Sequence, residues 1–380
     1  MTLTTTDFLQ YNLGIQPTES FPTAAFALGR RPNSAEDFQR EIIDFDSEGK
    51  EGEAFFAVAA GATGLSKFKD IPWPSGLAPR AATRMTGRAT DALPEADVLV
   101  VTWTMDEGHA LSRVLTPGHD SKNDWKAYTH NFTALSKKMR KGSPALEEGR
   151  LGTYWTTTIG KKKVVCFKSD SHLSQDGPET PNFDVWSQLI AEVQPKLVIT
   201  TGTGGGIGPQ WEVGDVIVSP IVRFDCTSKL SKKPYAHAEY KSPGAVRQTR
   251  FAEATKLFQA NASQLPNTNK RKIPKISVSK SIAGAIVTTD FFGFDTVENA
   301  YHLKGLGALS EMGDAVLGFV AKGLGRKAPP YVIVRNVSDP QINEPSATLK
   351  QQGHDASAIY KGFGRWSSVC SAIVCWSLIA

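Results

Sequence analysis

The sequence predicts an α/β protein, a three-layer α/β/α sandwich in which helices cover both faces of a mixed central sheet. Two patterns indicate this class. Short, continuously apolar runs such as Val98–Thr102 are expected of strands that are buried on both faces. These runs alternate with helical stretches such as residues 183–193, whose apolar side chains recur on one face. Strand–helix alternation implies that most of the strands pair in parallel.

The predicted elements begin near residue 96 and follow one another in this alternation. Strands are expected at residues 98–102, 151–159, 164–167, 197–200, 216–218, 286–288 and 331–335. Helices are expected at residues 106–115, 183–193, 311–321 and 366–380, the last of them docked on the core. In such sheets ligands bind beyond the carboxyl ends of the strands, so the residues just after each strand are the candidates for a site.

The composition argues against two classes of function. The 380-residue chain is 40% hydrophobic and 21% charged, which is apolar enough for a sizeable core and too charged for an integral membrane protein. The apolar C-terminal stretch is shorter than the ~20 residues that a spanning helix needs. The formal net charge is only +5 and the basic residues are scattered, so we expect neither a nucleic-acid groove nor a membrane partner.

The cysteines point to a reducing compartment. Cys166, Cys226, Cys370 and Cys375 include no CxxC pair and no histidine cluster accompanies them, so no zinc or other metal site is expected. The N-terminus has no basic segment followed by an apolar run, as a signal peptide would. We therefore expect reduced thiols in a cytoplasmic protein.

The chain is expected to divide near residue 95. Residues 1–95 are rich in Thr, Pro, Gly and Ala and are interpreted as a partly ordered extension. One helix is plausible within it, with Ser34 and Asp37 as a capping pair. Residues 96–380 would then form the main domain.

The strongest local motif is the run TTGTGGGIG at residues 200–208, followed by VGDVIV at residues 213–218. Consecutive glycines after a buried strand let the backbone approach a ligand and direct N–H groups at it. No Gly-Lys-Ser/Thr follows, and Pro209 and Trp211 stand where the helix of a dinucleotide fingerprint would begin. Taken alone, the run predicts either a structural turn or a ligand-binding one.

This run, together with Glu311-Met312 and the strand that leads to Val337-Ser338-Asp339, resembles the nucleoside phosphorylase and nucleosidase superfamily. That superfamily includes methylthioadenosine/S-adenosylhomocysteine nucleosidase-type domains. Fainter matches are Met105-Asp106-Glu107 and Thr289-Asp290-Phe291-Phe292, and all four segments follow the family order within residues 96–380. The resemblance implies a nucleoside phosphorylase-like fold and cleavage of the N-glycosidic bond of a purine nucleoside or nucleotide. It implies no cofactor, and self-association into a homo-oligomer.

The resemblance also implies roles for single residues. Asp339 matches the general acid that protonates the base, and Phe292 matches the aromatic ring that stacks on it. Met312 matches the methionine that packs on sugar and base, while Thr203 and Gly204 match turn residues that line the pocket. Cleavage to a cationic sugar and an anionic base requires an acid near the base and a carboxylate that positions water. Without the resemblance, Asp339 would be interpreted as a turn cap.

Two departures from the family concern its glutamates. The family's water-positioning glutamate aligns with Gly108, so Glu107 is expected to serve in its place, with Asp106 in reserve and an ordinary surface carboxylate as the alternative.

The glutamate that holds the ribose hydroxyls aligns with Gly313. Either Glu311 or Asp314 serves instead, or the contact with those hydroxyls is lost.

The acceptor of the sugar is expected to be water. Phosphorylases of this family carry an arginine just before the glycine run, whereas residues 197–201 contain no cation. Two alternatives remain: a phosphate-dependent phosphorylase, and a catalytically degenerate nucleotide-binding or effector module. A polar–aromatic group after the first strand would either bind the 5′ substituent or pack its own loop; its members are Trp103, His109, Trp125, Tyr128, His130 and Asn131.

Overall fold

The computed structural model describes residues 71–244, 246–262, 273–342 and 348–380. The helix predicted around Ser34 and Asp37 lies outside these residues. Within them the chain forms the predicted three-layer arrangement, a mixed sheet with helices on both faces.

The described part of the chain contains thirteen strands and seven α-helices. The strands are β1 Arg80–Ala81, β2 Val98–Thr102, β3 Lys126–Tyr128, β4 Gly152–Ile159, β5 Lys162–Ser169, β6 Leu197–Gly206, β7 Val216–Ser219, β8 Ile221–Asp225, β9 Glu239–Lys241, β10 Ile276–Val278, β11 Ile286–Thr289, β12 Leu309–Glu311 and β13 Tyr331–Asp339. The helices are α1 Met105–Leu115, α2 Phe132–Leu135, α3 Pro144–Glu148, α4 Asn182–Val193, α5 Ala252–Ala260, α6 Asp314–Leu324 and α7 Leu349–Ile379.

The sheet is organised around β6. The hydrogen-bonded order is β1-β4-β5-β2-β6-β12-β11-β8-β9, and β13 branches from β6 toward β7 and β10. β5, β2, β6 and β13 pair in parallel, while β12 pairs antiparallel with the last residues of β6. Because four neighbouring strands run in the same direction, their carboxyl ends meet at one edge of the sheet.

Alternating side chains of the central strands supply two separate cores. On β2, Val98 and Val100 face the core that contains α1, α5 and the end of α7. Leu99 and Val101 face the core that contains α4 and α6. The period of two along a strand explains why a continuously apolar run is buried on both faces.

The structure confirms the predicted strands and most of the predicted helices, with three differences. The C-terminal helix was expected at residues 366–380, but α7 spans Leu349–Ile379, because its first half is buried in an apolar cluster through Ala356, Ile359 and Phe363. The glycine run is not a turn, because β6 continues through it to Gly206 and its backbone pairs with β13 and β12. Glu311 does not begin a helix: it ends β12, and α6 begins at Asp314.

Residues 71–95, the described part of the segment before residue 96, pack against the rest of the structure. β1 pairs antiparallel with β4, and Ile71, Trp73 and Leu77 contact the α1/α5/α7 core. Trp376 of α7 is fully buried, its Nε1 donates to the carbonyl of Leu77 at 2.7 Å, and its ring lies 4.8 Å from that of Trp73. Helix α7 therefore docks as predicted, and the division near residue 95 stays a prediction. No helix in the described ranges is long and apolar enough to cross a membrane.

Replacing Trp376 tests the docking of α7. Trp376→Ala removes a fully buried indole and its hydrogen bond to Leu77, and we expect a loss of about 3–5 kcal/mol in the free energy of unfolding. Urea unfolding followed by circular dichroism measures this loss. Phe319→Ala, at a residue 38% exposed, is the control and should cost less. A loss below about 1 kcal/mol for Trp376→Ala would contradict the docking.

Candidate active site

A pocket lies at the edge of the sheet where the parallel strands end. Its empty space, part of which is open to solvent, is about 730 Å³. Nearly every lining residue is at or just after the carboxyl end of a strand, as predicted. The lining residues are Trp103, Thr104, Glu107, His172, Thr203, Gly204, Gly205, Thr289, Phe292, Gly293, Ser310, Glu311, Met312, Gly313, Arg335, Ser338, Asp339 and Tyr360.

Arg335, which the sequence did not single out, is the central charge of the pocket wall. Its side chain is 3% exposed. Nε and Nη2 each donate to a different oxygen of Asp314 at 2.8 Å, a bidentate pair. Nη1 lies 3.4 Å from Glu107 and Nη2 lies 3.4 Å from Glu311. One guanidinium therefore faces carboxylates from three separate elements.

Glu107 is held rigidly in the wall. Its carboxylate accepts hydrogen bonds from six donors: Thr102 Oγ1, the N–H groups of Trp103 and Thr104, Thr203 N and Oγ1, and Arg335 Nη1. It also completes a capping box at the start of α1. Burial acts to raise the pKa of Glu107, but the charge of Arg335 and the backbone donors outweigh burial and hold this pKa below its ordinary value. Glu107 is therefore a fixed negative charge.

Glu311 and Asp314 differ in their access to the pocket. Glu311 lines it, while its carboxylate accepts from the N–H groups of Gly313 at 2.5 Å and Asp314 at 3.0 Å and from Thr288 Oγ1. These bonds cap the N-terminus of α6, which explains why the helix begins after Glu311. Asp314 is fully buried against Arg335 and is not a lining residue.

The carboxyl groups of the wall differ in their pKa values. Burial and the neighbouring charge of Asp314 raise the pKa of Glu311 above its ordinary value, against the opposing charge of Arg335. The single positive charge of Arg335 faces the carboxylates of both Glu107 and Asp314, so the wall has a net negative charge.

Asp339 lies at the other side of the pocket, at the end of β13. The pairing of β13 with β6 shifts register between Val337 and Asp339, and such an irregularity redirects side chains. Ser338 Oγ donates to Asp339 Oδ1 at 2.7 Å, and no described residue donates to Oδ2. Burial raises the pKa of Asp339 to about 6, with the Ser338 hydrogen bond opposing it.

The glycine run is needed because carboxylates lie directly against its backbone. A Cβ at Gly205 would lie 2.8 Å from Asp339 Oδ2, and a Cβ at Gly202 would overlap Glu107 Oε1. Gly202 also has a φ of 148°, which side chains rarely adopt. The run thus admits ionisable groups from other elements, and two of its N–H groups donate to carboxylates, that of Thr203 to Glu107 and that of Gly208 to Asp295.

The remaining predicted residues are also placed in the pocket. Phe292 and Met312 line it from the β11 and β12 sides, and Thr203 and Gly204 line it from β6. Phe292 lies 5.9 Å from the ring of Phe294 at the edge of a small apolar cluster. Asp106 is not a lining residue.

The two glycine departures have different surroundings. At Gly313, a Cβ would lie 3.1 Å from the ring of Trp103, whose indole covers this position and stacks 4.8 Å from the Arg335 guanidinium. At Gly108, a Cβ would meet Ser121 Oγ at 2.9 Å and Lys168 Cγ at 3.3 Å. The positions of both absent glutamates are therefore occupied by other side chains.

Within the predicted polar–aromatic group, Trp103 lines the pocket and the other members do not. His109 pairs with Asp120 at 2.6 Å and His130 pairs with Glu192 at 2.6 Å. These contacts fit the alternative in which the loop is packed by its own side chains. His172 also lines the pocket. It was not singled out from the sequence, because it stands in a polar segment without a recognisable motif.

Replacing Arg335 should show how much the guanidinium stabilises the buried carboxylates around it. We expect Arg335→Met to lower the free energy of unfolding by about 3–5 kcal/mol at pH 8. At pH 5 the loss should be smaller, because carboxyl groups without the guanidinium have higher pKa values and take up protons. Urea titrations at both pH values measure this, with the exposed Arg88→Met as control. A loss that is equal at both pH values would contradict the account.

Asp339 should reduce stability at high pH. Its pKa in the folded state is about 6, above the ordinary value of 3.8. Its favourable contribution to the free energy of unfolding is therefore fully present below pH 3.8 and is lost as the pH rises through about 6. Asp339→Asn avoids this loss and should be about 2–3 kcal/mol more stable than the parent at pH 8, with little difference at pH 4. Thermal unfolding across this range tests the expectation, and a difference independent of pH would refute it.

Comparison with known proteins agrees with the fold and the predicted resemblance. The family model described as the Phosphorylase superfamily matches residues 127–363, more than half of the chain. A 5′-methylthioadenosine/S-adenosylhomocysteine nucleosidase of Shewanella halifaxensis is 26% identical over 164 residues, covering 41% of this chain and 62% of that protein. The nucleosidase of the same name from Shewanella putrefaciens is 28% identical over 158 residues, covering 41% of this chain and 62% of that protein. The match thus spans about three fifths of these relatives.

Solved structures extend over more of the chain at lower identity. Futalosine hydrolase of Helicobacter pylori matches with a TM-score of 0.45 and 13% identity, covering 74% of this chain and 96% of that one. The 5′-methylthioadenosine/S-adenosylhomocysteine nucleosidase of Helicobacter pylori with butyl-thio-DADMe-Immucillin-A matches with a TM-score of 0.46 and 13% identity, covering 75% and 98%. From the family model and the sheet that it spans, the chain belongs to the phosphorylase superfamily.

Proposed function

We propose that the protein hydrolyses the N-glycosidic bond of a purine nucleoside or nucleotide and releases the free base. The observation that carries this proposal is the division of charge in the pocket. A buried carboxyl group with a raised pKa, Asp339, shares the pocket with a buried wall of net negative charge around Arg335.

Asp339 serves as the general acid in this proposal. Its pKa of about 6 keeps a protonated fraction available near neutral pH, far larger than an ordinary aspartate would have, and Oδ2 has no competing donor among the described residues. A carboxylic acid in that state can protonate a leaving purine as the glycosidic bond lengthens. Phe292 and Met312, which line the same pocket, would pack on the base.

The charged wall around Arg335 stabilises the sugar in this proposal. Bond cleavage leaves positive charge on the sugar ring, and a fixed, buried negative charge stabilises it. Glu107 supplies that charge without reorganisation, since its oxygens are already held by surrounding donors. For Glu107 to position water as predicted, one of these hydrogen bonds must be exchanged for a bond to water. Glu311, which lines the pocket at the same wall, would contact the sugar hydroxyls.

Water is the favoured acceptor because the described lining offers inorganic phosphate no uncommitted cation. Arg335 is bound to Asp314, Glu107 and Glu311. The curated relatives that match the chain are named nucleosidases, which supports the same choice. We also propose that the enzyme is cytoplasmic, self-associates and needs no cofactor.

Release of free base tests the proposal. Purine nucleosides and nucleotides are incubated with the protein, with and without phosphate, and the products are separated by liquid chromatography. We expect free base in both buffers, and Asp339→Asn should lower kcat by about 10²–10⁴-fold because the proton donor is lost. The rate in the parent should fall as pH rises above about 6, where Asp339 loses its proton.

The control is Asp225→Asn, at another buried strand-end aspartate that does not line the pocket. It should retain activity within about threefold of the parent. Base release only in the presence of phosphate would identify a phosphorylase. Nucleoside binding without turnover would identify a degenerate binding module.

A further inference from the structure

His172 is fixed at the end of the pocket opposite Asp339. Across the sheet edge the strands run β5, β2, β6, β13, and His172 follows β5 whereas Asp339 ends β13. Three strand intervals correspond to about 14 Å. Glu107 and Trp103, which follow β2, and Thr203 on β6 lie between the two ends.

The backbone of His172 is held by a buried carboxyl group. Asp176 is fully buried, and its Oδ2 accepts from the N–H of His172 at 3.0 Å and from Ser171 Oγ at 2.5 Å. The loop that carries His172 is thus closed on itself, and the residue is set in place before a ligand arrives.

The ring of His172 is uncommitted within the described part of the chain. The described hydrogen bonds of this residue are all made by its backbone: its N–H donates to Asp176, and its carbonyl accepts from the N–H groups of Gln175 and Asp176. Both ring nitrogens therefore remain available. The charged groups acting on the ring are Lys168, Asp170 and Glu107. Burial, reinforced by Lys168, lowers the pKa of His172 to about 4. At neutral pH the ring therefore offers one N–H donor and one nitrogen acceptor.

The same end of the pocket is unsuited to an anion. Lys168 pairs with Asp170, which also accepts from Arg150 Nε at 2.8 Å. Arg335 is committed to its carboxylates, and Glu107 carries a fixed negative charge. A phosphate placed here would meet a neutral imidazole and a carboxylate, with no free cation among the described lining residues.

The substrate's orientation decides which of its atoms reaches His172. If the base lies against Asp339 and Phe292 and the sugar beside Glu107, C5′ is the part of the nucleoside that points farthest from the base. We infer that His172 recognises the 5′ end of the substrate and selects a free 5′-hydroxyl over a 5′-thioether or a 5′-phosphate. This inference rests on the proposed function.

The test compares kcat/KM for four compounds that share one base: adenosine, 5′-deoxyadenosine, 5′-methylthioadenosine and AMP. We expect the parent protein to favour adenosine over each of the others by tenfold or more, because only its 5′-hydroxyl can both donate to and accept from the neutral imidazole. In His172→Leu, adenosine and 5′-deoxyadenosine should come within threefold of each other. This change in the ratio should come from a lower kcat/KM for adenosine.

His119→Leu is the matched control, since His119 is also partly buried but stacks on Trp155 outside the pocket. It should keep the preference of the parent. A parent that prefers 5′-methylthioadenosine or AMP overturns the inference and leaves the proposed function standing, as does an undiminished preference in His172→Leu. Absence of base release from all four compounds and from the wider purine panel overturns both. The order of kcat/KM values in the parent protein can overturn the inference even where a variant fails to fold.

Discussion

The ion cluster of Arg335 is the interaction on which the rest of the site depends. One buried guanidinium binds Asp314 at the start of α6, Glu107 at the start of α1 and Glu311 at the end of β12. These elements approach the centre of the sheet from both of its faces. Burying one charge of such a group alone is strongly unfavourable, so each carboxylate needs the guanidinium and the guanidinium needs them. The cluster therefore fixes where two helices begin relative to the strand ends.

The same burial gives the carboxyl groups different chemical properties. Glu107 is surrounded by donors and keeps its negative charge, while the pKa of Glu311 is raised by burial and by the neighbouring charge of Asp314. Asp339 lacks a cationic partner, and its pKa is raised by burial. A proton donor and a fixed anion can thus coexist in one pocket. That pairing is what cleavage to a neutral base and a cationic sugar requires.

The architecture and much of the site were predictable because they depend on local patterns. Val98–Thr102 is buried on both faces, as its continuous apolar run indicates. Glu107 and Asp339 lie at or just after the ends of parallel strands that meet at one edge of the sheet, and Phe292 and Met312, which follow β11 and β12, line the same pocket.

What could not be predicted depends on contacts between distant parts of the chain. The glycine run was expected to turn, but pairing with β13 and β12 extends β6 through it. Glu311 was expected to begin a helix, but its side chain caps that helix from the preceding strand. Arg335 looked like an ordinary strand residue, and its role arises from carboxylates up to 228 positions away in sequence.

A crystal structure of Asp339→Asn soaked with adenosine would test the central claim most directly, since loss of the acid should leave the glycosidic bond intact. The account predicts a purine ring on Phe292 with N7 within hydrogen-bonding distance of the side chain at position 339, and the sugar beside Glu107. A base bound at the His172 end, or a nucleoside bound outside the pocket, would contradict it.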